Sequence, residues 1–234
     1  MPAIVLLPGY LCDNDLWTGM RQQLDAIGPA SVAGLTSSDT LEGLAADVLA
    51  AAPERFVLVG FSMGGYVARI VAATAPERVI ALALINTSAR ANTADEVARN
   101  RRRVETLRTL PFRGLSRAAV AEALHPDRRG DTALLDRLQA MAVRVGKHGM
   151  LNQTGLVRKD GHAQLERIAC PTLVVASRQD TLRPVAEIER MVGHLRQPTY
   201  RVVEHCGHMT PLERPAELAA ILTDWLSAEA VAIG

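Results

Sequence analysis

The chain has 234 residues, 48% hydrophobic and 22% charged, with a formal net charge of +1. This length suits a single α/β domain with a sizeable core, and no apolar run approaches the roughly 18 residues that a membrane span needs. The small net charge and only eight aromatic residues (2 Trp, 3 Tyr, 3 Phe) argue against a nucleic-acid surface. Three widely spaced cysteines, Cys12, Cys170 and Cys206, include no CxxC pair and read as reduced thiols, with neither a disulfide framework nor a metal site. Met1-Pro2 leads directly into apolar Ala3–Leu7, without the basic segment and cleavage pattern of a signal peptide. A cytoplasmic location is therefore expected.

Apolar runs of strand length are predicted at Ala3–Leu7, Ser31–Ala33, Phe56–Val59, Val79–Ile85, Thr172–Ala176 and Tyr200–Val203. The stronger ones are rich in Val, Ile and Leu and lack polar alternation, as in strands buried on both faces of a parallel sheet. Helical spacing fills Leu16–Ile27, Leu41–Ala52, Met63–Ala75 and Val185–Leu195. This alternation predicts a doubly wound α/β sheet. It breaks between Ile85 and Cys170, where only helices are expected: Thr93–Leu110, Ser116–Leu124, Thr132–Gly146 and a shorter one near Met150–Val157. Residues 87–168 therefore read as a helical insertion over one end of the sheet.

The stretch FVLVGFSMGGYVARIVA, residues 56–72, places Ser62 between Gly60 and Gly64 at a strand-to-helix join. A turn this sharp strains its central residue and requires small neighbours two positions away. Such a turn exposes the serine hydroxyl beside the free N–H groups and positive dipole end of a helix. An incidental serine in a glycine-rich turn is the bland alternative. The buried strand before it and the helix after it favour a nucleophile, and no GK[ST] or GxGxxG pattern supports phosphate binding.

A serine nucleophile needs a histidine base, and the base needs an acid to orient it. His125, His148 and His162 lie in the predicted insertion, and His194 lies late in a helix. His205 and His208 follow the last strand. His208, after Gly207 in the loop, is the candidate base, and His205 reads as a packing residue. Asp180, after the strand at Thr172–Ala176, is the candidate acid, although an ordinary turn or capping aspartate would look the same. The oxyanion hole would take one backbone N–H from Met63. The other would come from the loop LLPGYLCDNDLW, with Tyr10 as first choice and Leu11 as second.

Together, the LLPGY loop, the GFSMGG elbow, the VVASRQD acid turn and the CGHMTPLERP histidine loop resemble the α/β-hydrolase superfamily, in family order and over nearly the whole chain. The small capped carboxylesterases, such as those acting on pimeloyl-acyl-carrier-protein methyl ester, are the most similar group. The resemblance implies a Ser62–His208–Asp180 triad, no cofactor and a helical cap lining the substrate pocket. It suggests Met150 and Gln153, in GMLNQT, as pocket residues beside Leu11, though Met150 reads equally well as cap core. Two features depart from the pattern. Pro8-Gly9 stands where His-Gly is usual, and the chain starts at the strand that carries this loop, so six parallel strands are expected instead of eight.

An esterase acting on a small-molecule ester is the leading reading. A lactonase, thioesterase or cofactor-free perhydrolase would use the same triad, and a non-catalytic ligand-binding protein would use the same fold. Residues 86–168 carry 14 Arg and 2 Lys against 9 Asp and Glu, an excess of +7, leaving −6 for the remainder. These charges read as solvated helix faces, or as a surface for an acidic partner such as an acyl carrier protein.

Overall fold

The computed structural model describes residues 2–233. In chain order the elements are β1 (Ala3–Leu7), a 3-10 turn (Asn14–Met20), α1 (Arg21–Ile27), β2 (Ala30–Val32), α2 (Leu41–Ala51), β3 (Phe56–Phe61), α3 (Met63–Thr74) and β4 (Val79–Ile85). Then come α4 (Ala94–Thr109), α5 (Arg117–Ala121), a 3-10 turn (Pro126–Arg128), α6 (Thr132–Gly155) and α7 (His162–Leu165). The chain returns to the sheet with β5 (Thr172–Ser177), α8 (Val185–Val192), β6 (Thr199–Val203), α9 (Thr210–Glu213) and α10 (Pro215–Ile233).

The six strands form one parallel sheet in the order β2-β1-β3-β4-β5-β6. Alternate residues of each strand enter two separate cores. Ile4, Leu6, Val57, Val59, Ala81 and Ala83 pack with Leu24, Leu218 and Leu222 of α1 and α10. Val5, Leu7, Leu58, Leu82 and Leu84 pack with Leu44, Val67, Val71 and Ile188 of α2, α3 and α8. Burial on both faces explains the unalternating Val/Ile/Leu runs. The strand order reverses between β1 and β3, so the loops leaving their carboxyl ends lie side by side at the switch point, where ligands of such sheets bind.

The segment between β4 and β5 is helical, as expected, with one difference. The two helices predicted at Thr132–Gly146 and Met150–Val157 abut without a loop, and the run Thr132–Gly155, α6, is broken between them at Gly146, whose φ 77°, ψ 177° is not helical. A glycine adopts that angle without a Cβ clash, so the first helix ends there and the second starts at once. Much of the segment's positive charge is paired. Arg137 and Arg144 of α6 bond Asp15 and Asp13 in the loop after β1, and Arg117 bonds Asp136. Arg90 bonds Glu96 and Glu187.

Candidate active site

Ser62 is held at φ 51°, ψ −110°, between β3 and α3. A non-glycine residue in this region carries on the order of 1–3 kcal/mol of strain, so the surroundings must hold it there. The Ser62 N–H donates to the Ile85 carbonyl at 2.9 Å, and its own carbonyl accepts from the Thr87 hydroxyl at 2.7 Å. The glycines behind it are there for close approach. A Cβ on Gly64 would lie 2.3 Å from the Leu7 carbonyl oxygen, and one on Gly65 would lie 2.4 Å from the Thr87 hydroxyl. Either would push α3 off the sheet.

Three side chains from three loops then meet in one line. Ser62 Oγ lies 2.8 Å from His208 Nε2, and His208 Nδ1 lies 2.7 Å from Asp180 Oδ2. Asp180 Oδ1 accepts the backbone N–H groups of Leu182 and Arg183, each at 2.8 Å, which fixes the carboxyl plane. Because the Nδ1 side faces an acceptor, the imidazole proton belongs on Nδ1, and Nε2 is left to accept from the serine hydroxyl. All three residues are buried, and the Phe61 ring packs against the imidazole. His205 stands apart on the surface, near His125.

The histidine loop is anchored by residues that sequence reasoning missed. Asn86 follows β4 at φ 44° and donates its amide to the His208 carbonyl at 2.7 Å and to Thr210 Oγ1 at 2.7 Å. Buried Glu213 accepts from the Met209 and His125 N–H groups, tying this loop to the segment after α5. The histidine N–H itself donates to the Ala123 carbonyl at 2.7 Å.

Among the described residues, neither the Tyr10 N–H nor the Met63 N–H has a hydrogen-bond partner. The Leu11 N–H, the second choice from sequence, is occupied: it donates to Gln153 Oε1 at 2.8 Å. Gln153 lines the cavity, but both ends of its amide are used, since Nε2 donates to the Leu35 carbonyl. It clamps two loops, with one N–H of its amide and one lone pair of its oxygen left over on the cavity wall. Met150 is not at the serine. It is buried with Leu11 and Ala142 in a satellite core and borders a separate hollow with Leu107 and Phe112. The cap-core alternative describes it.

Ser62 opens into two connected hollows. One, of about 500 Å³, includes His208, Met209, Phe61, Leu115, Val120 and Leu138. The other, of about 210 Å³, includes Met63, Tyr66 and Leu156, and Asn92, Asn100, Arg103, Arg158 and Arg183 border both. Cys12 borders the larger hollow, but burial pushes its thiol up to about 12, and burial pushes Cys206 up to about 11. Neither offers a thiolate nucleophile near neutral pH. Among the described residues no group of three or more His, Cys, Asp or Glu side chains converges as metal ligands would, and no helix is long and apolar enough to cross a membrane.

Residues 4–221 match the model of the alpha/beta hydrolase family. The biotin biosynthesis bifunctional protein BioHC of Cellvibrio japonicus is 26% identical over 248 residues, covering 99% of this chain. The chain spans 49%, about half, of that relative's length. A pimeloyl-[acyl-carrier protein] methyl ester esterase of Nitrosomonas europaea is 25% identical, covering 94% of this chain and 93% of its own. The crystal structure of the enol-lactonase from Burkholderia xenovorans LB400 superposes with a TM-score of 0.87 at 21% identity, covering 97% of this chain and 91% of its own, which speaks for the fold alone. With the parallel sheet, the strained serine between β3 and α3, and a family match running from Ile4 to Ile221, the chain belongs to the alpha/beta hydrolase family.

Proposed function

We propose that the protein is a serine hydrolase that cleaves carboxylic esters through an acyl-enzyme. The observation that carries this reading is the continuous line Asp180–His208–Ser62, with both links at 2.7–2.8 Å. Ser62 Oγ attacks the ester carbonyl carbon as its proton passes to His208 Nε2. The carbonyl oxygen becomes an oxyanion that accepts from the Tyr10 and Met63 N–H groups, each such donor being worth about 3 kcal/mol in the transition state. Collapse breaks the C–O bond to the alcohol, which leaves with the proton from His208. Water then repeats the sequence on the acyl-enzyme and frees Ser62. A lactone or thioester would meet the same groups.

Residues 87–168 act as a cap in this reading, because α4, α5 and α6 supply walls to the hollow above Ser62. His208, which must protonate the departing alcohol, borders the larger, more apolar hollow and not the smaller one. The alcohol portion therefore goes toward the apolar end at Leu115, Val120 and Leu138, and the acyl portion toward Tyr66 and the arginines that border both hollows. Arg101, Arg102 and Arg108, exposed on α4, are the surface that an acidic carrier protein would meet.

A fluorophosphonate probe tests the reading, since it reacts only with an activated serine. The wild type should be labelled on Ser62, and Ser62→Ala should not be labelled while keeping the same melting temperature within a degree or two. Absence of labelling in the wild type would leave a ligand-binding protein on a hydrolase fold.

A further inference from the structure

Tyr66 lies one helical turn beyond Ser62 on α3, about 6 Å along the axis and on the same face. Its hydroxyl oxygen accepts from two guanidinium groups. Arg183 Nε donates at 2.8 Å, Arg183 Nη2 also donates, and Arg158 Nη1 donates at 3.1 Å. Both guanidinium groups also sit over the Tyr66 ring, 5.0 and 5.6 Å from its centre. One neutral oxygen thus gathers two positive charges that water would otherwise keep apart.

The countercharge nearby is small. Glu96 lies 3.5 Å from Arg158, but Arg90 grips it with two hydrogen bonds, and Asn92 and the Thr93 N–H also donate to it. Glu187 is bound to Arg90 and Asp180 to His208. Among the described residues, Arg183 and Arg103 have no carboxylate partner, and both border the 210 Å³ hollow beside Met63 where it meets the larger one. Four arginines (Arg90, Arg103, Arg158, Arg183) thus face three carboxylates (Glu96, Glu187 and Asp180, whose partner His208 is a neutral imidazole), an excess of one charge. Arg99 and Glu122, on the larger hollow, offset each other. Arg158 is 8% exposed, and gathering buried positive charge without full pairing is costly unless an anion completes the site.

Resting on the hydrolase reading, we propose that this arm is a carboxylate subsite and that the substrate is a monoester of a short dicarboxylic acid. The ester carbonyl lies at Ser62 and the free carboxylate takes hydrogen bonds from Arg183, Arg103 and the Tyr66 hydroxyl. The phenolic proton suits this role, since the guanidinium groups leave it no acceptor among the described residues. A carboxylate three bonds from the ester carbonyl, as in a succinate monoester, matches the one-turn offset between Ser62 and Tyr66.

The test compares monoethyl succinate with ethyl 4-methylpentanoate, in which an isopropyl group of the same shape replaces the carboxylate. The ratio of kcat/KM within one protein cancels any loss of folded enzyme. The wild type should favour the acid by roughly tenfold or more, and Arg183→Gln should reduce that ratio by about tenfold, the size of one charge-assisted hydrogen bond. Arg103→Gln, at an exposed position that the fold does not need, should reduce it in the same direction. Raising sodium chloride from 0.05 to 0.5 M should lower kcat/KM for the acid and leave the neutral ester unchanged. A wild type that prefers the neutral ester, or a ratio that survives in both variants, overturns the subsite while leaving the hydrolase intact. If neither ester is cleaved and the fluorophosphonate leaves Ser62 unlabelled, both readings fall.

Discussion

The Leu11 N–H donates to Gln153 Oε1 at 2.8 Å, joining the loop after β1 to α6. Leu11 sits at φ 53°, a left-handed angle costing an ordinary residue roughly 1–2 kcal/mol. The clamp holds that angle and, one residue back, leaves the Tyr10 N–H free. Gln153→Leu should orphan the buried Leu11 N–H and the Leu35 carbonyl, at about 1–3 kcal/mol each. Its effect on catalysis should fall on kcat, by about tenfold or more, with KM little changed, because an oxyanion donor acts in the transition state. Steady-state kinetics on p-nitrophenyl acetate beside a urea unfolding curve separates the two effects.

Replacing triad members should give losses that do not add. Ser62→Ala and His208→Ala should each lower kcat by ~10⁴ or more, and the double variant should be no worse than either alone. Asp180→Asn should also cost ~10⁴, since an amide facing Nδ1 favours the wrong imidazole tautomer. His205→Ala, exposed and turned away, should stay within about threefold of wild type. An inactive His205→Ala enzyme beside an active His208→Ala enzyme would reverse the assignment of the base.

Asn86 holds the histidine from behind. The His208 carbonyl can only accept, so the side of the Asn86 amide facing it must be the NH₂. Asn86→Asp would set a carboxylate oxygen against that carbonyl. The Thr210 and Ser177 hydroxyls can rotate to donate, but the carbonyl cannot. A loss of about 3 kcal/mol is expected, with a fall in kcat as the loop shifts, while Ser62 labelling slows in parallel. Urea unfolding and the probe's second-order labelling rate measure both.

What was readable in the residues was what is local. The elbow announces itself because Gly60, Ser62, Gly64 and Gly65 lie within six positions, and the strain and the close approach are both set there. The unalternating strands were equally plain, since burial on two faces leaves no polar positions. The clamp made by Gln153, which the resemblance suggested only as a pocket residue, the anchoring by Asn86 and the arginine arm are obscure in sequence for one shared reason. Each works through a partner far along the chain, 142 residues away for Gln153 and Leu11 and 117 for Arg183 and Tyr66. The run Arg101-Arg102-Arg103 illustrates the limit. Helical phase alone spreads its side chains around α4, and only the packed structure shows that Arg103, exposed like its two neighbours, also borders the hollow. Of the two readings that Met150 allows from sequence, pocket wall or cap core, its packing with Leu11 and Ala142 supports the second.

Glu96 gives the acid limb of stability a specific source. Its carboxyl is held far below the usual 4.5, chiefly by the hydrogen bonds from Arg90 and further by the Thr93 N–H and the Asn92 amide. Because the folded-state value is depressed, the stabilisation is complete above about pH 4.5, where the unfolded chain also carries the charge. It is lost as pH falls below that, when the unfolded chain takes up a proton that the folded chain refuses. The melting temperature of Glu96→Gln should lie below wild type at pH 7, and the gap should narrow progressively as pH falls below 4.5, with part of it still present at pH 3. A gap independent of pH would mean that the amide loses only packing.

The apolar arm should set the preferred alcohol. Val120, Leu138, Leu115 and Met209 line the hollow that includes His208, on the side where the alcohol departs. Each methylene buried there is worth roughly 0.8 kcal/mol, about fourfold in kcat/KM when it is retained in the transition state. Across n-alkyl acetates from ethyl to octyl, kcat/KM should therefore climb and then level off when the hollow is filled. Val120→Ala should move the plateau to a longer alcohol. Ala123→Leu, adding bulk beside the His208 loop, should move it to a shorter one. Met150→Ala is the contrast. Buried in the satellite core with Leu11, it should cost about 2–5 kcal/mol of stability and leave the alcohol profile where it was. A profile that shifts with Met150→Ala and ignores Val120→Ala would mean that the alcohol occupies the hollow beside Phe112 and that the arm next to His208 is not where it binds.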